Sequence, residues 1–294
     1  MKILFITLFT YFITYCSTFK IHKPTLKISR LNNIITNRDH HIYNDKDTEE
    51  YVQTHKMVTD KKLITISPGG FKGFYLMGVL SYIKENYNMD DYIFSGASAG
   101  SWNALFMCYK KSALEFVYYL LDYNIQKTKS LMELQYFLKY KLISEYKDDD
   151  FDLERLFIGV SNIQNFKVNT NIFSDFENLE DAINCCMASS HIPLITGGLT
   201  NRYHNMYSFD GGFDKYPYLN VKKPVLHVSP SMWDELSNKK KKGFQKCSLT
   251  KYSEFFSSSK NNLLELYDNG YEDAKKHKHL LDTVFLEKET NNTK

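Results

Sequence analysis

The chain has 294 residues, 43% hydrophobic and 15% aromatic, enough to bury the core of one large α/β domain or two small ones. With 37 basic residues against 34 acidic, the net charge of +3 is too small to argue for nucleic acid as the main partner. The composition also excludes disordered, collagen-like and coiled-coil chains, and five cysteines, two of them adjacent, make neither a disulfide framework nor a zinc pattern.

The N-terminus reads as an address. After Met1-Lys2 an apolar run extends from Ile3 to Tyr15, interrupted only by Thr7, Thr10 and Thr14. It is shorter than the ~20 residues that span a bilayer and fits the apolar core of a signal peptide over 1–18, cleaved after Cys16 or Thr18. A membrane-anchoring stub or a buried strand is the alternative. The signal reading places the protein in the secretory pathway or on a membrane. Residues 19–60 are polar, charged and free of glycine, and read as a linker or pro-segment. The folded domain is expected over 61–280, with a polar tail at 281–294.

Lys62 to Ile66 carries a short buried-strand pattern. The loop Ser67-Pro68-Gly69-Gly70-Phe71-Lys72-Gly73 follows, and Met77, Leu80, Ile83 and Tyr87 then recur at helical spacing. Tyr92 to Ser95 is a second strand, Gly96-Ala97-Ser98-Ala99-Gly100 a second loop, and Trp102, Leu105, Phe106 and Tyr109 mark a second helix. Strand, loop and helix repeated in this order are the grammar of a parallel sheet. Residues 111–158 carry Tyr, Phe and Leu at helical spacing and read as a helical cap. Asp148-Asp149-Asp150 at its end reads as a solvated loop, not a metal site. Phe166 to Phe173 is a strand and Leu179 to Ser189 a helix. Tyr207 to Phe209 is a strand running into Asp210-Gly211-Gly212. Pro224 to Val228 is a strand and Asn261 to His277 a helix.

Glycine is scarce, and seven of the 13 lie in three short motifs beside strands: Gly69, Gly70 and Gly73; Gly96 and Gly100; Gly211 and Gly212. Glycine permits close backbone approach and φ > 0, so a shaped site is expected there. Gly96 to Gly100 matches G-x-S-x-G, a sharp strand-to-helix turn that presents Ser98 Oγ at a helix N-terminus, with Ala97 and Ala99 small enough to allow it. Gly73 precedes Ser98 by 25 residues, room for one helix and one strand. A right-handed crossover between neighbouring parallel strands puts both loops at one sheet edge, where the N–H groups of Gly69 and Gly70 would face a carbonyl attacked by Ser98. A phosphate-binding loop fits less well, because neither G-K-[ST] nor G-x-G-x-x-G is present. A serine nucleophile needs a base. None of the nine histidines follows an acid in a setting that marks a triad. Asp210, at a strand end before two glycines, is better placed, although Asp-Gly is also an ordinary turn.

Together these blocks resemble the patatin-like phospholipase family, whose signature is a G-G-x-[RK]-G loop, a G-x-S-x-G elbow one βα unit later and a distal D-G-[GA]. Ala188-Ser189-Ser190-His191-Ile192-Pro193 is similar to the family's A-S-x-x-I-P segment. Leu266 to Ala274 resembles the C-terminal helix of the animal branch, as does the spacing to D-G-G. The likeness covers about residues 62–276. It implies an α/β three-layer sandwich with a mostly parallel central sheet, helices on both faces and a helical cap. It implies Ser98 as nucleophile and Asp210 as general base, no catalytic histidine, and an oxyanion loop of Gly69, Gly70, Phe71, Lys72 and Gly73. The implied chemistry is hydrolysis of fatty-acyl esters of phospholipids or neutral glycerolipids through an acyl-enzyme, at a membrane or lipid-droplet surface, with no cofactor or metal. One position departs from the family: Pro68 stands where the first glycine of a triple is usual, and it has no N–H to donate.

Other functions remain open at this point. A lipid transacylase would use the same residues with another acceptor. A non-catalytic lipid-binding module would not need both Ser98 and Asp210. A conventional triad would recruit His227 or His277. Tyr109, Phe116, Tyr118, Tyr119, Leu120 and Leu121 read either as a core-facing helix or as a lid, and Lys239 to Lys242 either as a solvated loop or as a patch for an anionic lipid surface.

Overall fold

The computed structural model describes residues 34–37, 55–164, 167–199, 201–214, 216–220, 222–237 and 262–286. The segment 1–18, most of 19–60, Cys247, the run Lys239 to Lys242 and the tail beyond 286 lie outside the described residues. The chain passes through β1 (Ile34–Asn37), α1 (Lys56–Asp60), β2 (Lys62–Ile66), α2 (Gly73–Asn86), β3 (Tyr92–Ala97) and α3 (Ala99–Cys108). Three helices follow, α4 (Ala113–Leu120), α5 (Tyr123–Gln126) and α6 (Leu131–Glu145). Then come β4 (Leu156–Gln164), β5 (Lys167–Phe173), α7 (Leu179–Ser189), β6 (Asn201–Tyr203) and β7 (Met206–Phe209). The chain ends on β8 (Leu226–Val228), α8 (Met232–Leu236), α9 (Leu263–Lys276) and α10 (Lys278–Phe285).

The middle of the sheet is parallel, in the order β8, β2, β3, β4. Strands β5 and β7 pair with β4 antiparallel, β1 joins β5 and β6 joins β7. Every position of β3, and every position of β2 after Lys62, is buried, as expected of strands covered on both faces. The two faces alternate along each strand. Ile64, Ile66, Phe94, Ile158 and Val160 enter the large core shared with α2, α3, α4, α7 and α9. Leu63, Ile93, Phe157 and Ile172 meet Val58 of α1 and Leu219. The fold is therefore α/β and layered, but the expected helical cover of the second face is thin among the described residues: one short helix and a loop.

The cap begins where local chemistry starts helices. The Ser130 hydroxyl accepts the Glu133 N–H at 3.1 Å, and the Glu133 carboxylate reaches back to the Lys129 N–H at 2.7 Å. Ser112 plays the same part for α4. Far along the chain, α9 lies against α2 at backbone contact. A side chain on Gly78 would start 2.0 Å from the Tyr267 carbonyl, and one on Gly270 2.0 Å from the Tyr75 carbonyl.

Several elements differ from expectation. The stretch 19–60, read as a linker, contains β1 and α1. Four strand residues or five helical ones are too few to show a period. The cap reading ran through residue 158, but β4 begins at Leu156, with no glycine or proline to separate Leu-Phe-Ile from the helical pattern before it. The reading of 281–294 as polar tail misses α10, whose Leu281 is fully buried and whose Phe285 packs on Tyr87 at 4.7 Å between ring centres. Asp148–Asp150 is a 3₁₀ turn with structural partners. Asp148 accepts the first N–H of α7, at Leu179, and Asp150 pairs with Lys111. Tyr109 and, on α4, Phe116 and Leu120 are core residues, whereas Tyr118 of α4 is exposed.

Candidate active site

Ser98 alone separates the end of β3 from the start of α3. It adopts φ 53° and ψ −127°, a conformation that non-glycine residues hold only when their surroundings enforce it. Its N–H donates to Ser189 Oγ at 2.8 Å, and its carbonyl accepts from Ser101 N–H at 2.9 Å and Ser101 Oγ at 2.6 Å. The elbow can be this sharp because α3 starts in backbone contact with β2: a Cβ on Gly100 would lie 2.2 Å from the Ile66 carbonyl. Ser98 thus stands at the N-terminus of α3, the positive end of its dipole.

Asp210 reaches the same place from the end of β7. Its Oδ2 accepts from Ser98 Oγ at 2.6 Å and its Oδ1 from the Gly212 N–H at 2.7 Å. Its own N–H donates to the His191 carbonyl at 2.8 Å. Gly211 lets this turn sit on the sheet, since a Cβ there would lie 2.4 Å from the Gly159 carbonyl of β4. Asp210 is buried, and burial pushes its carboxyl up to about 6, against the hydrogen bonds from Ser98 and Gly212 that hold it down.

The loop after β2 meets both. In-register pairing of Ile66 with Gly96 makes the loops after β2 and β3 leave the sheet side by side. Gly70 has φ 52°, the left-handed region that suits glycine, and starts a 3₁₀ turn over Gly70–Lys72. The N–H of Lys72 donates to the Gly69 carbonyl and that of Gly73 to the Gly70 carbonyl, so both are spent inside the turn. Asn103 Nδ2 donates to the Gly73 and Ala99 carbonyls at 3.0 and 2.9 Å, tying the loop to the elbow helix. Pro68 rests against Gly212, where a Cβ would come within 3.0 Å of the proline ring. The departure from the usual glycine thus packs the loop onto the Asp210 turn. Phe71 is buried among Phe74, Ile125, Leu131 and Leu134, while Lys72 is exposed.

Gly70, Gly73, Ser98 and Ala99 open into an apolar pocket walled by Phe74 and Met77 of α2, Trp102 and Leu105 of α3, Phe116 and Leu120 of α4, and Leu131, Leu134, Leu138 and Leu142 of α6. Gln135 of α6 also lines it, donating Nε2 to Ser190 O at 2.9 Å and Ser190 Oγ at 2.8 Å. The histidines considered for a triad engage elsewhere. His227 Nδ1 lies 2.9 Å from Thr65 Oγ1, and His277 stacks on Trp233. Among the described residues no group of three His, Cys, Asp or Glu could hold a metal ion, and no helix is long and apolar enough to cross a membrane. Cys108, Cys185 and Cys186 are buried free thiols. The contacts of Gln135 and Ser189 have no counterpart in the sequence reading, where Ser189 stood only as part of a family segment.

An α/β fold with a serine elbow, a hydrogen-bonded buried aspartate and an apolar pocket is the setting of an acyl-transfer enzyme. The patatin-like phospholipase family model matches residues 64–220, and the chain belongs to that family, one of lipid hydrolases. A chain of the heterodimeric ExoU-SpcU complex from the type III secretion system of Pseudomonas aeruginosa is similar at 13% identity with a TM-score of 0.37. The match covers 77% of this chain and 52% of that one, so this chain spans about half the length of that relative. No curated protein matches the chain.

Proposed function

We propose that the protein is a serine lipid acyl hydrolase in which Ser98 is the nucleophile and Asp210 the general base. The observation that carries this reading is the 2.6 Å hydrogen bond from Ser98 Oγ to Asp210 Oδ2 inside a buried site. Asp210 takes the Ser98 proton as Oγ attacks the ester carbonyl. The negative charge that develops on the carbonyl oxygen meets the loop of Gly69 and Gly70 and the N-terminus of α3. Asp210 then returns the proton to the leaving alcohol. Water, deprotonated by the same carboxylate, then attacks the acyl-enzyme, and Asp210 returns that proton to Ser98 Oγ as the fatty acid is released. A carboxyl pushed up to about 6 suits this work better than an ordinary aspartate, because its conjugate base is stronger while still ionised at neutral pH.

The apolar pocket supports a fatty-acyl substrate, carried by a phospholipid or a neutral glycerolipid. The outer side of α6 supports attack at a lipid surface. Met132, Tyr136, Tyr140 and Ile143 are exposed at spacings of four, four and three, one stripe of the helix whose inner side walls the pocket. Helix α9, which contains Leu266 to Ala274 and packs on α2, supports likeness to the animal branch of the family. The test is incubation of the wild-type protein and Ser98→Ala with a mixed glycerolipid panel and mass spectrometry of the products. Free fatty acid and lysolipid appearing only with the wild type are expected. Acylated lysolipid or glycerol in their place would make the enzyme a transacylase.

A further inference from the structure

We propose that Ser189, Ser190 and His191, where α7 ends, form a clamp that sets the nucleophile, the base and the cap relative to one another, with Ser189 as the positioning residue of Ser98. The proposal rests on the reading of Ser98 and Asp210 as the reacting pair.

Three consecutive residues make three separate attachments. Ser189 is fully buried. Its hydroxyl accepts the Ser98 N–H at 2.8 Å and donates to the Gly159 carbonyl of β4 at 2.6 Å. A hydroxyl has one proton, and giving it to Gly159 turns a lone pair toward Ser98. One side chain thus pins the strained elbow to the neighbouring strand. Ser190 Oγ donates to the Cys186 carbonyl at 2.6 Å and accepts from Trp102 Nε1 at 3.1 Å and from Gln135 of the cap at 2.8 Å. The His191 carbonyl accepts the Asp210 N–H at 2.8 Å. The anchor of the nucleophile and the anchor of the base are therefore two residues apart in one short segment.

The elbow needs such an anchor. A positive φ at a serine persists only when neighbours over-determine it, and the Ser98 N–H is buried, so losing its acceptor leaves an unsatisfied donor at the residue whose Oγ must meet Asp210. If Ser98 relaxes, its hydrogen bond to Asp210 weakens. That bond holds the Asp210 carboxyl down, so its loss moves the carboxyl further up. Gly212 N–H remains on Asp210. The titratable groups on the clamp and on the Asp210 turn are His191, whose ring is held toward the neutral form by burial, and Asp214, bonded to Thr170.

The experiment compares Ser189→Ala, Ser189→Thr and Ser189→Val with the wild type in fluorophosphonate labelling at Ser98 and in the pH dependence of kcat and KM on a soluble ester. Thr and Val have nearly the same shape, and only Thr keeps a hydroxyl. The clamp predicts a fall in kcat of about 10–100-fold for Ala and Val, the size of an unsatisfied buried donor expressed as a rate. KM should stay within about twofold. The acid limb of the kcat profile should move to higher pH in Ala and Val, and Thr should restore both rate and limb. A loss of packing alone would lower the melting temperature and leave the limb in place. Equal losses in folded Thr and Val variants would overturn the clamp, and so would labelling of Ser189→Ala at the wild-type rate, even if Thr or Val failed to fold. If wild-type Ser98 is not labelled at all, the Ser98–Asp210 reading itself fails and the clamp falls with it.

Discussion

Ser98 Oγ and Asp210 Oδ2 lie 2.6 Å apart although 112 positions separate the two residues in the chain. Two structural facts bring them together: the strand-to-helix turn after β3 and the seat of the Asp210 turn on the Gly159 carbonyl. If this pair performs the chemistry, Ser98→Ala should abolish fluorophosphonate labelling. Asp210→Asn should keep the fold and lower kcat at least ~10²-fold, the low end for removing a general base. Substituting His191, His204, His227 or His277 should cost far less. One histidine variant as inactive as Ser98→Ala would point to a triad.

The buried carboxyl also links activity to stability. Its folded value of about 6 lies above the ordinary aspartate value of 3.8, so the folded protein holds the proton more tightly than the unfolded chain. The stabilisation from that protonated form is complete below about 3.8 and is lost as pH rises through about 6. Activity runs the other way, because the base works only when ionised, and kcat should fall as pH drops through about 6. Asp210→Asn removes the titration. Relative to wild type it should gain stability on going from pH 4 to pH 8, on the order of 2 kcal/mol. Chemical denaturation at the two pH values reads this, and an unchanged difference between the proteins would refute it.

Gly70 stands at φ 52° at the mouth of the pocket. Gly70→Ala forces a Cβ into a conformation that costs about 1–3 kcal/mol for other residues. It should disturb the donors that face the developing oxyanion, with a fall in kcat of roughly 10²–10³-fold, typical of losing one such donor. Lys72→Ala is the control. Its N–H is already spent in the turn and its side chain is exposed, so the effect on an uncharged ester should be small and that on a phospholipid larger. A folded Gly70→Ala enzyme with near-normal kcat would detach this loop from the chemistry.

The exposed stripe on α6 leads to a prediction that does not need catalysis. Replacing Tyr136 and Tyr140 together with serine should weaken binding of the Ser98→Ala protein to phosphatidylcholine vesicles, since interfacial tyrosines place an apolar ring and a polar tip at the headgroup level. Flotation of protein with vesicles measures it. Unchanged flotation would remove this helix face from the lipid surface.

How much of this was legible in the sequence follows from which residues act locally. The loops at Gly69–Gly73 and Gly96–Gly100 stand out because their glycines are local requirements of a turn or a backbone contact, and β2, β3 and the helices after them are bounded by those glycines. Asp210 is marked by the glycines after it. By contrast, β4 carries its apolar run straight out of the cap with no breaker. Strands β1 and β6 are too short for a period, and although β5 and β7 read as strands, nothing local marks their pairing with β4 as antiparallel. Ser189 is the clearest case. It stands in a family segment, but nothing around it gives its role, because its partners, Ser98 and Gly159, lie 91 and 30 residues away. Gln135 reads as one of several polar residues on α6 until Ser190 is placed beside it.

The pocket itself sets a length. Ser98 caps the N-terminus of α3, and Leu105, seven residues further on, lines the pocket, as do Phe116, Leu120 and Leu142. At a rise of 1.5 Å per residue this wall runs about 10 Å from the nucleophile. An extended hydrocarbon with carbon–carbon bonds of about 1.5 Å would lay roughly eight carbons along it. Leu105, Phe116, Leu120 and Leu142 are all at most 2% exposed, so a longer chain must pass between them or turn. Phe116→Ala removes the largest of these side chains. It should cost about 3–5 kcal/mol of stability, as deletion of a buried phenylalanine does. It should also raise kcat/KM for long acyl esters relative to eight-carbon esters, because the vacated volume lies beyond the reach of the short chain. Leu142→Phe, which adds bulk at the same end, should shift the preference the opposite way. A chain-length series of p-nitrophenyl esters measures both, and an unchanged ratio in the two variants would show that the acyl chain takes another path from Ser98.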